Sequence, residues 1–134
     1  QLAWRLRQDD RVTVFEQCDA RDLTPEQVGP VDLVVVDASF ISLTRLLPPL
    51  PPLLRPGARL LALVKPQFEV GRENVGRGGV VRDDDLRQEA VQAVATAAAQ
   101  LGFTIDGQAD SRLAGARKGN REIFLLATFG ALEP

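Results

Sequence analysis

Apolar positions along the chain fall into two kinds of run, continuous and periodic, and each kind predicts a different element. Residues 31–36, Val-Asp-Leu-Val-Val-Val, and 58–64, Ala-Arg-Leu-Leu-Ala-Leu-Val, are nearly unbroken. Such runs suit strands buried on both faces of a parallel sheet. Residues 11–15, Arg-Val-Thr-Val-Phe, alternate apolar with polar and predict a short strand. Residues 84–101 place Leu86, Ala90, Val94, Ala97 and Leu101 at steps of three and four, one face of a helix, with Asp85 and Gln88 as a candidate capping box and Gly102 as the stop. Residues 103–108 and 123–129 read as a terminal antiparallel pair joined by a polar, basic loop. Ser39 or Ser42 can cap a helix after the first apolar run, but Pro48, Pro49, Pro51 and Pro52 keep it short or broken. The order strand, strand, helix piece, strand, helix, strand, strand predicts an α/β fold with a mostly parallel sheet and a C-terminal antiparallel strand pair.

A chain of 134 residues with 45% hydrophobic content has the size of one domain around one core. Sixteen basic residues stand against 18 acidic ones, a net charge of -2, so nucleic-acid contact must come from a local basic patch. Cys18 is the single cysteine and histidine is absent, which excludes an internal disulfide and argues against zinc chemistry and Ser-His-Asp hydrolysis; no metal site is expected. The apolar runs are far shorter than the roughly 20 residues that cross a bilayer, and the first residues are too polar for a signal peptide. These features predict a cytoplasmic chain with no membrane partner. Gln-Leu-Ala-Trp-Arg-Leu-Arg at 1–7 opens in the middle of an element and reads as the start of a fragment.

Both continuous runs stop on a charge, Asp37 and Lys65. In neighbouring parallel strands, about 4.8 Å apart, both side chains would reach the carboxyl edge where open α/β sheets hold ligands. Asp37 also suits a helix cap or a plain loop carboxylate. Lys65 is less ordinary, because an ammonium ending a buried strand needs a partner. Glu122 precedes the last strand, which in antiparallel orientation begins at the same edge; from the residue alone, a solvated charge at a strand start is the more ordinary reading. The stretch 69–83 is Gly-rich and carries Arg72, Arg77 and Arg82, suiting either a mobile lid that meets a phosphate backbone or a plain surface loop. Arg117 and Lys118 form a second basic cluster, with the same two readings.

Four segments carry a resemblance: residues 1–7; Val-Asp-Leu-Val-Val-Val-Asp-Ala-Ser-Phe-Ile-Ser at 31–42; Val-Lys-Pro-Gln-Phe-Glu-Val-Gly-Arg at 64–72; and Val-Gly-Arg-Gly-Gly-Val-Val-Arg-Asp at 75–83. Together they closely resemble the TlyA, or hemolysin A, family of FtsJ-like RNA methyltransferases, over the whole chain. The resemblance implies a Rossmann-like class I methyltransferase fold and S-adenosylmethionine as cofactor. It implies the ribose 2′-hydroxyls of ribosomal RNA, free or within ribosomal subunits, as substrate, with no DNA expected. It further implies a Lys-Asp-Lys-Glu catalytic set, of which Asp37, Lys65 and Glu122 match three members. Asp19 and Ala20 match the adenine contact, Gln1 and Leu2 match the segment just after the ribose-holding acid, and Asp37 also borders the cofactor. Arg72, Arg77, Arg82, Arg117 and Lys118 are the RNA-binding candidates. The first lysine, the Gly-rich cofactor loop, the ribose-holding acid and the S4-type RNA-binding domain of the family have no counterpart in residues 1–134. The chain therefore reads as the C-terminal part of one methyltransferase domain, expected alone to bind little cofactor and to expose an apolar strand edge. The prolines at 48–52 exceed the family's usual single one. The alternatives are a non-enzymatic remnant that binds RNA or a partner and, a distant third, membrane lysis, which the hemolysin name suggests and no hydrophobic span supports.

Overall fold

The two apolar runs pair as parallel neighbours. In the computed structural model, which describes residues 2–112 and 120–130, β1 (Val31–Val36) lies parallel to β2 (Leu54–Val64), with Val36 opposite Ala62. β2 begins earlier than residue 58, and its first residues include Pro56 and Gly57. The register shift between Val31 and Leu33 takes them up, since a bulge tolerates both a missing donor and the positive φ of 86° at Gly57. β3 (Phe103–Asp110) and β4 (Ile123–Phe129) form the predicted antiparallel pair, and β4 also pairs antiparallel with β2. The sheet order is β1-β2-β4-β3. Its parallel part is the single β1–β2 ladder, because residues 11–15, predicted as a strand, form none. A strand exists only with a ladder partner, and these residues find none among the described residues.

Helices cover one face. α1 (Trp4–Arg7) is one exposed turn. α2 (Leu43–Leu46) is as short as the prolines require: the Ser42 hydroxyl caps it by accepting from the Thr44 N–H, and Pro48 and Pro49 bring no N–H to continue it. α3 (Asp84–Gln100) is capped by Asp83, not Asp85, because the Asp83 carboxylate accepts from the Asp85 N–H. Gly102 stops it with φ at 100°. Ala90, Val91, Val94 and Ala98 of α3 pack with Leu43 and Leu47 against Leu60, Ala62 and Val64 of β2 and Ile123, Leu125 and Ala127 of β4. Across the β2–β4 ladder Leu60 faces Ala127 and Ala62 faces Leu125, so large side chains alternate with small ones.

The expectation that β1 is buried on both faces is corrected. Val34 and Val36 join the core, while Leu33 and Val35 are 58% and 61% exposed on the opposite face, which no helix covers among the described residues. β1 is thus the expected apolar strand edge, half-buried because only one face has a cover.

Candidate active site

The topology carries Asp37 and Lys65 to one place. Asp37 follows the last residue of β1 and Lys65 the last of β2. Pro66, which cannot donate to a ladder, ends β2 and starts a 3-10 turn over Pro66–Phe68. The Lys65 ammonium lies 2.6 Å from the Asp37 carboxylate and donates to the Ser39 hydroxyl at 3.1 Å, which accounts for two of its three donors. The pair is lopsided: the lysine side chain is 12% exposed and the aspartate 64%. The protein therefore fixes the cation and leaves its counter-charge open to solvent.

Glu122 stands at the same edge, since Val64 opposite Ile123 is the last pair of the β2–β4 ladder. The structure seats it differently from the other two. It is 6% exposed, and the Gln67 amide donates to it at 3.5 Å. Among the described residues no ion pair joins Glu122 to Lys65. Asn120, two residues earlier, is 1% exposed; it accepts from the Val81 N–H at 3.0 Å and donates to the Gly79 carbonyl at 2.7 Å. That buried amide fastens the Gly-rich stretch to the start of β4. Arg87 of α3 holds the other side of the stretch by donating to the Val81 carbonyl at 2.9 Å. The mobile-lid reading is corrected accordingly at its distal end, where residues 79–81 are bound on both sides rather than loose.

Two concavities lie beside the turn that follows β1. One, about 620 Å³, is mostly apolar and includes Asp19, Ala20, Val36, Asp37, Ala38 and Leu46 in its wall. It falls in the size range of small-molecule sites. Asp19 is braced there by Arg21, whose side chain donates to the carboxylate at 2.7 Å and whose N–H donates at 2.9 Å. Chiefly that side-chain bond lowers the Asp19 carboxyl to about 2. The second, about 730 Å³, is a groove walled by Phe40, Arg45, Gln67, Phe68, Arg72 and Gly79. Ile41 borders both, so the turn 37–41 is the partition between them.

Of the sequence candidates, Asp19, Ala20 and Asp37 share the apolar cavity and Arg72 lines the groove, while Arg77 and Arg82 are exposed along the same Gly-rich stretch. Leu2 is half-buried and lines neither space; Gln1, Arg117 and Lys118 lie outside the described residues. Sequence reasoning did not single out Gln67, Asn120, Phe40 or Glu69, and gave Ser39 only a capping role. Phe40 is 78% exposed at φ 65° with its ring 5.1 Å from that of Phe68. The Glu69 carboxylate accepts from the Ser42 hydroxyl at 2.6 Å and the Leu43 N–H at 2.9 Å, and burial is the main cause that pushes its pKa up. Only the position of Phe40 in segment 31–42 and of Gln67 and Glu69 in segment 64–72 pointed toward them.

The chain is similar to known proteins. The TlyA 16S/23S rRNA (cytidine-2′-O)-methyltransferase of Mycobacterium tuberculosis is 53% identical over 126 residues, 93% of this chain and 47% of that protein. Hemolysin A of Brachyspira hyodysenteriae is 36% identical over 124 residues, 91% of this chain and 51% of that protein. The chain thus spans about half the length of these curated relatives. The crystal structure of a hemolysin candidate from Lactococcus lactis superposes with a TM-score of 0.89 at 38% identity, over 96% of this chain and 62% of that one. A 16S rRNA (adenine(1408)-N(1))-methyltransferase from Catenulisporales acidiphilia, with a TM-score of 0.56 at 13% identity over 87% of this chain and 61% of that one, shares the fold. The family model for FtsJ-like methyltransferases matches residues 1–129, and the chain belongs to that family.

Proposed function

We propose that this chain is the C-terminal part of the catalytic domain of an S-adenosylmethionine-dependent methyltransferase acting on ribose 2′-hydroxyls of ribosomal RNA. The observation that carries the reading is the partition: an apolar cavity with carboxylates on one side, an arginine- and aromatic-lined groove on the other, and between them the turn 37–41, whose Asp37 and Ser39 hold the Lys65 ammonium. Asp19, Ala20 and Asp37 fit a cofactor with an adenine and a positive centre, the apolar wall taking the ring and Asp37 facing the charge. That cofactor supplies, when bound, a methyl group activated by its sulfonium. Arg45 and Arg72 suit the phosphates of an RNA strand in the groove, with Arg77 and Arg82 further along the Gly-rich stretch.

A ribose hydroxyl is a weak nucleophile at neutral pH, and with no histidine in the chain another group must orient it. Lys65 has the position for this. Held by Asp37 and Ser39, its remaining donor can hold the 2′-oxygen in line and stabilise the alkoxide character that develops as the hydroxyl proton passes to solvent water. Glu122, buried at the same sheet edge, accepts from the Gln67 amide and so braces the turn that follows Lys65. The setting this implies is cytoplasmic, with ribosomal RNA or a ribosomal subunit as partner, and no helix among the described residues is long and apolar enough to cross a membrane.

In the full-length gene product, Lys65→Ala should cut methyl transfer to ribosomal RNA by about 10²- to 10⁴-fold, the usual worth of a positioned acid-base group, and leave cofactor binding near wild type. Tritium transfer read as alkali-resistant 2′-O-methyl nucleotides measures the first and calorimetry the second. Retained transfer removes Lys65 from its role. A wild-type protein that binds RNA but transfers nothing favours a non-enzymatic remnant of the fold.

A further inference from the structure

We infer that Glu69 is a positioning residue for the reaction centre: its carboxylate holds the turn that places Ser39 against Lys65. The inference rests on the methyltransferase reading of that centre. Segment 65–69 meets turn 37–43 at five successive points. Lys65 reaches Asp37 at 2.6 Å and Ser39 at 3.1 Å, the Phe68 ring lies 5.1 Å from that of Phe40, and Glu69 closes the far end through Ser42 at 2.6 Å and the Leu43 N–H at 2.9 Å.

The turn needs such a hold. Phe40 has φ at 65°, a conformation that a bulky side chain adopts only when its surroundings impose it. Its ring is 78% exposed, so packing on one side does not impose it. Downstream, α2 is a four-residue helix and cannot anchor the turn by its own ladder. The two bonds to Glu69 are the side-chain contacts that tie the start of α2 to the segment after β2. They reach Lys65 through Ser39, three residues before Ser42, without Glu69 touching the reaction centre. Releasing the turn moves Ser39 away from the ammonium and leaves Lys65 less firmly held and more open to solvent.

The test uses the full-length gene product with Glu69→Ala, Glu69→Asp, which keeps the charge on a shorter arm, and Glu69→Gln, which keeps the reach and an acceptor for the Leu43 N–H. Single-turnover methyl transfer at saturating ribosomal RNA should fall about ten- to hundred-fold in Glu69→Ala and Glu69→Asp, the scale of a small misplacement of a catalytic group. It should return in Glu69→Gln, with cofactor affinity unchanged throughout. Adding Ser39→Ala to Glu69→Ala should cost less than the product of the two single losses. Acetic anhydride labelling of Lys65, read by mass spectrometry on folded protein, should speed up in Glu69→Ala and not in Glu69→Gln. That labelling needs no turnover, so it decides the placement of Lys65 even if the wild-type protein transfers no methyl group and the methyltransferase reading fails. Unchanged labelling, a full transfer rate in Glu69→Asp, or single losses that multiply would overturn the inference.

Discussion

Asn120→Ala should loosen one loop rather than the whole fold, and the structure sets the size of the effect. The side chain is 1% exposed and makes two hydrogen bonds to the Gly-rich stretch, to the Val81 N–H and the Gly79 carbonyl. Val81 is 0% exposed, so its N–H, left without an acceptor, costs about 1–3 kcal/mol, and the half-buried Gly79 carbonyl, which water can reach, about 0.5–1 kcal/mol more. A total of about 1.5–4 kcal/mol taken from local opening corresponds to exchange of the Val81 amide roughly 10- to 700-fold faster. Amides at the centre of β2 and β4 should keep their protection. Hydrogen exchange by NMR on the full-length gene product separates these outcomes. Unchanged exchange at Val81 would show that Asn120 does not hold the stretch. Uniform acceleration over β2 and β4 would show that it holds the fold instead, and either result refutes the reasoning.

Leu60→Ala removes a side chain that is 1% exposed in the central strand and should cost about 2–5 kcal/mol; the urea midpoint at unchanged slope measures it, and a loss below about 1 kcal/mol would contradict the assigned core. Burial raises the pKa of Glu69 above its ordinary 4.5, so the folded protein holds that proton more tightly than the unfolded chain. The resulting stability is complete below the unfolded value and is lost as pH rises through the folded one. The melting temperature of wild type relative to Glu69→Gln should therefore fall as pH rises above the ordinary glutamate value of 4.5, and a constant or rising difference would refute this. Asp19 should titrate by NMR at about 2 and return toward the ordinary carboxylate range in Arg21→Ala, because the arginine side chain is its main cause. No movement on that substitution would exclude Arg21.

How much was legible follows from what each feature depends on. The Asp37–Lys65 pair was readable because two parallel neighbours end at one edge, so two apolar runs that each stop on a charge bring those charges together without any knowledge of the loops. The terminal antiparallel pair and α3 were readable for the same reason, each resting on a period within its own residues. The strand at 11–15 was misread because alternation describes a surface, whereas a strand needs a partner that local sequence does not name. The exposure of Leu33 and Val35 escaped likewise, since burial on both faces depends on a second cover and the run looks the same with one.

The loop contacts were hidden more deeply, yet they give the two recognisable segments a physical reason to occur together. Within Lys-Pro-Gln-Phe-Glu, Pro66 ends the ladder and so fixes where the chain turns, and the four remaining side chains divide the work of the turn. Lys65 and Gln67 reach the acids Asp37 and Glu122, while Phe68 and Glu69 reach Phe40, Ser42 and Leu43. Every one of those partners except Glu122 belongs to the stretch 37–43. The contacts therefore couple the two segments in space, although 28 positions separate Asp37 from Lys65 (65 − 37) and no periodicity links them.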